Sequence, residues 1–139
     1  MNQRTQKNLM TAMHGEAFAF VKYMLFAEHA RKNGLPELVD LFEKTAYVER
    51  FEHLAEEAEL AGLVGSDADN LSDAIEGESY EVETMYKEFA EQAAADDDQA
   101  AASRFAEVRG DEIGHEVLLC SLIHFISYFF IPEIPIRSR

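Results

Sequence analysis

The sequence predicts an all-α protein built as a four-helix bundle with one crossover connection. Turn-forming residues are scarce, with 7 Gly and 3 Pro among 139 residues. Apolar residues recur at steps of three and four, which is the period of one face of a helix. Two short connections and one longer middle connection separate four such segments, as in bundles with a single crossover. Hydrophobic residues make up 47% of the chain, which is enough for a core and excludes a disordered acidic tail.

Turn and cap residues set the predicted helix limits at roughly residues 5–33, 36–61, 71–95 and 98–130. Gly34 suits the position just after a helix, and Pro36 suits the first turn of the next one. Gly62 ends the second segment, and Asn70 is the predicted N-cap of the third. The aspartate run at 96–98 separates the last two segments. Residues 1–131 are predicted to form one domain, and residues 132–139, which begin at Pro132, a C-terminal tail.

The charge balance excludes several classes of partner. The chain has 12 basic and 27 acidic residues, so its formal net charge is −15. Nucleic acids and anionic membrane surfaces repel such a chain, so we expect no nucleic-acid partner. The single cysteine, Cys120, excludes an internal disulfide and a four-cysteine metal site. The polar segment Met1–Asn8 does not resemble a secretory signal, and a cytoplasmic location is expected.

An internal repeat relates the two halves of the chain. The segment Tyr23–Glu28 returns as Tyr86–Glu91, and Glu16 returns as Glu78. The interval from Glu16 to Glu78 is one position shorter than the interval from Tyr23 to Tyr86, so one extra residue lies between Glu78 and Tyr86. In a continuous helix such an insertion is typical of a π-bulge, and we predict one near residues 79–86.

Each predicted helix carries ionisable residues in the middle of its apolar face. The helical rise of about 1.5 Å per residue places them at one level, roughly 22 to 28 Å from the turns. Glu81 lies one turn after the third-helix glutamate and points to nearly the same side. The other members of this predicted cluster are Glu16, Glu49, Glu52, Glu78, Glu112 and His115.

Such a cluster requires compensation, because each buried ion costs several kcal/mol. The apolar faces offer no Lys or Arg at this level, so two divalent cations are the predicted solution. Carboxylate oxygens with an imidazole and no thiolate favour iron or manganese over zinc or copper(I). The alternative is a non-catalytic helical interaction module whose glutamates face solvent.

Four stretches of the sequence resemble the rubrerythrin family of the ferritin-like superfamily: Gly15–Ala17, Ala46–His53, Gly77–Glu81 and Glu112–His115. The resemblance covers most of the chain and implies a di-iron centre, Fe2+/Fe3+. The second glutamate of Gly77–Glu81 is the feature that distinguishes rubrerythrins from plain ferritins. By resemblance the iron ligands are Glu16, Glu49, Glu78, Glu81, Glu112 and His115. Tyr23 and Tyr86 would donate hydrogen bonds to ligand carboxylates, and they form the candidate catalytic set with Glu81.

The second helix departs from the family pattern. The family carries Glu-x-x-His there, whereas this chain reads Glu49-Arg50-Phe51-Glu52 and has His53 one position later. The repeat and the helical spacing both place Glu52, rather than His53, opposite His115. We therefore predict Glu52 as the ligand and keep His53 as the alternative. A carboxylate-rich site of this kind resembles symerythrin, a relative within the superfamily.

The resemblance implies a peroxidase that reduces hydrogen peroxide, with dioxygen as the other candidate oxidant. A Cys-x-x-Cys rubredoxin site cannot be built with one cysteine, so the electrons are expected from an external donor such as rubredoxin. The alternative function is that of a ferroxidase, or of an iron storage or delivery protein.

The last predicted helix ends in a nearly continuous apolar segment, residues 117–131. We predict that this segment forms a homodimer interface. The alternative is a membrane tail anchor, for which the segment is short.

Overall fold

The computed structural model describes residues 1–129 of the chain, and nearly all of them are helical. The described residues contain no strand. The chain divides into two compact units, unit 1 (Met1–Val64) and unit 2 (Gly65–Arg139). The predicted tail, residues 132–139, lies outside the described residues. One domain spanning residues 1–131 therefore stays a prediction.

Unit 1 is a helical hairpin. Its first helix packs along a second, continuous helical rod, and the turn between them contains Gly34 with φ +69°. Glycine suits this left-handed conformation because it has no Cβ to clash with the following carbonyl. The elements are α1 (Gln3–Lys32), then a rod made of α2 (Pro36–Val48), the first π-helix (Glu49–His53) and α3 (Leu54–Ala61).

Unit 2 is also a helical hairpin, but the order of its regular helix and its interrupted rod along the chain is reversed. A rod with a π-helix in its middle comes first, and a long unbroken helix packs against it. The elements are α4 (Asp67–Tyr80), the second π-helix (Glu81–Met85) and α5 (Tyr86–Ala95), followed by α6 (Gln99–Phe129).

Small side chains and one aromatic trio per unit hold each hairpin together. In unit 1 the most buried residues include Ala27, Ala30 and Ala46, whose small size lets the helix backbones approach closely. Three rings lie with neighbouring centroids 5.4 to 6.3 Å apart in unit 1 and 5.6 to 6.4 Å apart in unit 2. The trios are Tyr23, Phe26 and Phe42 in unit 1 and Tyr86, Phe89 and Phe105 in unit 2. Each ring of the unit 1 trio has a counterpart in unit 2, and the interval in the sequence is the same for all three: Tyr23 and Tyr86, Phe26 and Phe89, and Phe42 and Phe105. This equal interval confirms the repeat.

The predicted helix limits agree with the structure except at the start of the rod of unit 2. That rod begins at Asp67, because Ser66 accepts a hydrogen bond from the Asp69 amide and the Asp69 side chain bonds back to the Ser66 backbone. This reciprocal pair is a capping box. Asn70 was the predicted N-cap, and this prediction is wrong. Its side chain instead bonds the backbone of Gly65.

The structure contains both an expected and an unexpected π-helix. The π-bulge predicted near residues 79–86 is confirmed by the second π-helix, Glu81–Met85. The first π-helix, Glu49–His53, was not predicted. It inserts one extra residue into the rod of unit 1. Every later side chain of that rod is therefore rotated about the helix axis relative to its position in a regular α-helix.

The apolar segment 117–131 lies partly outside the described residues. Within them, Val117, Leu118 and Leu122 are exposed on α6. The homodimer interface stays a prediction. Over the described residues, no helix has the length and apolar character needed to cross a membrane.

The capping box predicts a measurable cost for losing Ser66. Ser66→Ala should lower the free energy of unfolding by about 1 kcal/mol, because the Asp69 amide loses its acceptor. Urea unfolding of the two proteins measures this difference. Ser103→Ala is the matched control, because Ser103 lies exposed inside α6 and caps no helix. Equal losses in both variants would contradict the capping role.

Candidate metal centre

Unit 1 brings two glutamates and a histidine together at the first π-helix. The His53 Nδ1 atom lies 2.9 Å from an oxygen of Glu49 and 3.8 Å from an oxygen of Glu16. The three potential ligand atoms all lie within 4.8 Å of one another. Glu16 comes from α1 and the other two from the neighbouring rod, so the packing of the hairpin creates this group, which we name triad 1.

Unit 2 carries the same group on the other pair of helices. The His115 Nδ1 atom lies 2.6 Å from an oxygen of Glu112 and 3.6 Å from an oxygen of Glu78. These potential ligand atoms also lie within 4.8 Å of one another. Glu78 comes from α4, whereas Glu112 and His115 lie one turn apart on α6. We name this group triad 2.

The first π-helix explains why triad 1 contains His53 and not Glu52. In a regular α-helix the residue three positions after Glu49 shares its face, which favours Glu52. In the structure the Leu54 amide bonds to the Glu49 carbonyl, five residues earlier, so the wider turn brings the residue four positions after Glu49 into place. Glu52 is exposed and lies outside the triad. This geometry favours His53, the alternative, over Glu52, and the choice of ligand stays a prediction.

The same shift brings a further acid, Glu57, close to triad 1. Glu57 follows His53 by four residues and is half-buried, and its charge raises the pKa of Glu16. Within the part of the chain that the structure describes, one Glu57 carboxylate oxygen is buried without a hydrogen-bond partner. The neighbouring Glu56 is exposed. The signal that could have found Glu57 is its spacing of one regular turn from His53.

The two triads share an electrostatic pattern in which each pair of carboxyls favours holding a proton. Hydrogen bonding with Glu49 raises the pKa of Glu16 above its ordinary value of 4.5, and burial adds to this effect. Burial raises the pKa of Glu78 above 4.5, and hydrogen bonding with Glu112 adds to it. Each pair therefore disfavours a second negative charge.

The same carboxylates also raise the pKa values of the two histidines. A hydrogen bond with Glu49 raises the pKa of His53 above its ordinary value of 6.5. A hydrogen bond with Glu112 raises the pKa of His115 in the same way. Both triads therefore favour a positive charge between the carboxylates, which a proton on the imidazole supplies in the metal-free protein.

The donor atoms fit a divalent cation such as iron. Each triad offers carboxylate oxygens and one imidazole nitrogen, a set suited to iron or manganese. One Glu78 oxygen is buried and has no hydrogen-bond partner among the described residues, and a buried carboxylate oxygen without a donor is costly. A cation coordinated by that oxygen would supply the missing partner.

Two further residues predicted at the site lie beside triad 2. Glu81, the first residue of the second π-helix, is half-buried, and its charge contributes to the raised pKa of Glu78. Burial raises the pKa of Tyr86 above 10, and the charges of Glu81 and Glu112 add to this effect. The Tyr86 phenol therefore keeps its proton and can donate a hydrogen bond.

Tyr23 has a different setting from Tyr86. Its ring stacks on Phe42 with centroids 6.2 Å apart and lies 6.3 Å from Phe26. No hydrogen bond from its hydroxyl to a triad carboxylate is found among the described residues. Its role as a donor to a ligand carboxylate stays a prediction.

Two hydrogen bonds between helices flank triad 2, and neither was predicted from the sequence. The Ser79 hydroxyl donates to a carboxylate oxygen of Glu116 at 2.5 Å, and Glu116 is 8% exposed. The Arg109 Nε atom donates to the Val82 carbonyl at 2.7 Å. Both bonds join the helix that carries Glu112 and His115 to the rod that carries Glu78.

Long helices that carry two Glu-Glu-His triads define a helical carboxylate-and-histidine metalloprotein. The sequence model of the rubrerythrin family matches residues 7–53 and 48–123. The chain belongs to the rubrerythrin family. The domain that defines the rubrerythrin family is a ferritin-like helical bundle that binds a di-iron centre. Membership of this family confirms the predicted fold class and cofactor.

Individual relatives agree with this assignment. The chain is 33% identical to rubrerythrin of Porphyromonas gingivalis over 125 residues, which are 81% of this chain and 62% of that protein. It is 33% identical to rubrerythrin of Nitratidesulfovibrio vulgaris over 126 residues, 81% of this chain and 65% of that protein. Nigerythrin of the same organism is 31% identical over 124 residues, 80% and 61% of the two chains. The chain thus spans less than two thirds of these relatives.

The raised pKa values predict how pH affects the metal-free protein. The folded state binds more protons than the unfolded one, so this stabilisation is complete below the unfolded values of 4.5 for the glutamates and 6.5 for the histidines. It is lost as pH rises through the raised folded values. We expect the Tm of the chelator-treated protein to begin to fall as pH rises above 4.5, the unfolded value of the glutamates, and to fall further above 6.5, the unfolded value of the histidines.

The matched variants separate the triads from the general negative charge of the chain. Glu16→Gln with Glu78→Gln should flatten the part of the fall in Tm that begins above pH 4.5, because these variants lack the two carboxyl groups whose pKa is raised. Glu28→Gln with Glu91→Gln removes the same charge from exposed positions and should leave the fall nearly unchanged. Equal slopes in the two double variants would contradict the assignment to the triads.

Proposed function

We propose that this chain is a non-haem di-iron oxidoreductase that reduces hydrogen peroxide to water with electrons from an external donor. The observation that carries the proposal is the pair of Glu-Glu-His triads, one in each unit. Their number equals the two irons of the family's centre. Membership of the rubrerythrin family supports the redox chemistry, and rubredoxin or a similar small redox protein is the proposed donor.

The reaction consumes one hydrogen peroxide, two electrons and two protons and yields two waters. Two ferrous ions, when bound, supply the two electrons and return to the ferrous state through the external donor. The proposed ligands are Glu16, Glu49 and His53 in unit 1 and Glu78, Glu112 and His115 in unit 2. Glu81 is a proposed additional ligand beside Glu78.

The chain's own side chains have to manage protons during this reaction. His53 and His115 must lose a proton to become ligands, so metal binding releases protons from both triads. Cleavage of the O–O bond needs a proton source near the departing oxygen. Glu81 is the proposed relay for such a proton, because its half-buried carboxyl group lies beside Glu78. Tyr86, whose raised pKa keeps its hydroxyl protonated, can donate a hydrogen bond there.

Iron handling is the second candidate function. The net charge of −15 concentrates cations around the chain, which favours the oxidation and delivery of ferrous iron. The two candidates differ in stoichiometry, because a peroxidase retains its irons whereas a ferroxidase oxidises many and releases them.

The choice of ligand in unit 1 is tested by two neighbouring substitutions. The unsubstituted chain, loaded with Fe2+ without oxygen and then desalted, should retain about two irons. His53→Ala should retain about one iron or bind iron at least about 10- to 100-fold more weakly, since the loss of even an outer-shell partner of a ligand typically has an effect of that size. Glu52→Ala is the matched control and should behave like the unsubstituted chain. The reverse result would assign the ligand to Glu52, and retention of no iron by the unsubstituted chain would contradict the proposal.

The oxidant is tested by stopped-flow spectroscopy of the ferrous protein. Reoxidation by hydrogen peroxide should be at least about tenfold faster than by dioxygen at equal concentration, a difference in barrier of about 1.4 kcal/mol. Steady oxidation of excess Fe2+ by dioxygen, at a rate that exceeds peroxide turnover, would favour the ferroxidase instead. Glu81→Gln should slow the peroxide reaction, because it cannot transfer a proton as a carboxyl group does.

A further inference from the structure

The second π-helix lacks part of the hydrogen bonding of a regular helix. In an α-helix the Tyr86 amide would bond to the Val82 carbonyl, four residues earlier. Here it bonds to the Glu81 carbonyl, five residues earlier. The Val82 carbonyl loses this amide donor. Val82 is buried, and a buried carbonyl without a donor is unfavourable.

The Arg109 side chain supplies a donor to that carbonyl. Its Nε atom lies 2.7 Å from the Val82 oxygen, and the contact is partly buried. The donor carries a full positive charge, which makes the bond stronger than one between neutral groups. Arg109 precedes Glu112 by one helical turn, so the bond links the helix of the triad 2 ligands to the irregular turn that contains Glu81.

Unit 1 offers a contrast within the same chain. In the first π-helix the Leu54 amide bonds to the Glu49 carbonyl, so the Arg50 carbonyl is in the position of Val82. Among the described residues of unit 1, no side chain donates a hydrogen bond to that carbonyl. The repeat that pairs Glu49 with Glu112 pairs Arg109 with Ala46, which cannot donate through its side chain. The arginine contact belongs to unit 2 alone among the described residues.

The position of the π-helix determines which way the neighbouring side chains point. Moving the inserted residue along the rod would rotate the residues between the old and new positions by about 100°. A shift toward Glu78 would therefore move Glu81 away from the side of the rod that carries Glu78. The bond between Ser79 and Glu116 fixes the rod just before this segment, and the bond from Arg109 fixes it inside the segment.

We propose that Arg109 is a positioning residue, whose guanidinium holds the second π-helix in register and thereby keeps Glu81 beside triad 2. The effect of Arg109 on a bound cation rests on the proposed function. The contact between Arg109 and the second π-helix does not depend on that function. The role proposed for Arg109 involves no contact with a reacting atom. Arg109 acts through its hydrogen bond to the Val82 carbonyl.

The first test measures amide hydrogen exchange in the metal-free, full-length chain. Arg109→Met keeps an apolar stem but removes the donor, and it should speed exchange at residues 82–86 by about tenfold or more, the loss expected for a hydrogen bond from a charged group. Exchange at residues 50–54 of the first π-helix should not change. Arg109→Lys, which retains a charged donor, should restore much of the protection.

Arg104→Met is the matched control, because Arg104 lies exposed on the same helix and pairs with Glu107. It should leave exchange at residues 82–86 unchanged. Where Arg109→Met does not fold, as judged by circular dichroism, Arg109→Gln takes its place in the same comparison. Unchanged exchange at residues 82–86 on loss of the arginine would overturn the proposal.

The second test separates positioning from a purely structural role. In the Glu49→Ala, His53→Ala background, where triad 1 is disabled, Co2+ is titrated and its visible absorption is recorded as a report on triad 2. Arg109→Met should change the Co2+ spectrum or weaken binding by about tenfold, and Arg109→Lys should reverse the change. Faster exchange with an unchanged Co2+ spectrum and affinity would show that Arg109 only stabilises the fold and would overturn the positioning role.

The two proposals fail in different ways. If the unsubstituted chain binds neither Co2+ nor Fe2+, the proposed function is wrong, and the consequence of Arg109 for a bound cation falls with it. The exchange measurements would then still decide whether Arg109 holds the π-helix. If the unsubstituted chain binds metal and the arginine variants do not differ from it, only the positioning role is wrong.

Discussion

The repulsion between paired carboxylates governs the chemistry of this molecule. In each unit the packing of two helices brings a glutamate of one helix against a glutamate and a histidine of the other, and the histidine Nδ1 lies 3.8 Å from the facing carboxylate oxygen in unit 1 and 3.6 Å in unit 2. Helix packing is favourable because it buries apolar surface, but it leaves acids together where a second negative charge is costly. A positive charge between them relieves that cost, whether a proton or a cation provides it.

The sequence was sufficient for the helices because their signals are local. Gly34, Pro36 and Gly62 mark helix ends through backbone preferences that need no tertiary context. The start of the rod of unit 2 was misjudged by a few residues because Ser66 and Asn70 are both good caps. The choice between them depends on the capping box that Asp69 completes.

The site was predictable only where its helices are regular or where the repeat exposed an irregularity. The shortened interval between Glu16 and Glu78 revealed the insertion in the rod of unit 2. The insertion at Glu49–His53 stayed hidden, because the carboxylate of Glu52 makes a plausible ligand at a regular helical spacing. The bond from Arg109 to Val82 could not be predicted from the sequence either. A backbone carbonyl that loses its amide donor in a π-helix is not indicated by any residue type.

The two triads reach one geometry from two different spacings. The α-helix of unit 2 places Glu112 and His115 on one face with two residues between them, and the wide turn of unit 1 does the same for Glu49 and His53 with three. A helix can thus absorb an added residue in a single turn while its coordinating atoms remain clustered. Fixed-spacing motif searches will overlook metalloproteins of this kind, and insertions within their helices need not abolish ion binding during evolution.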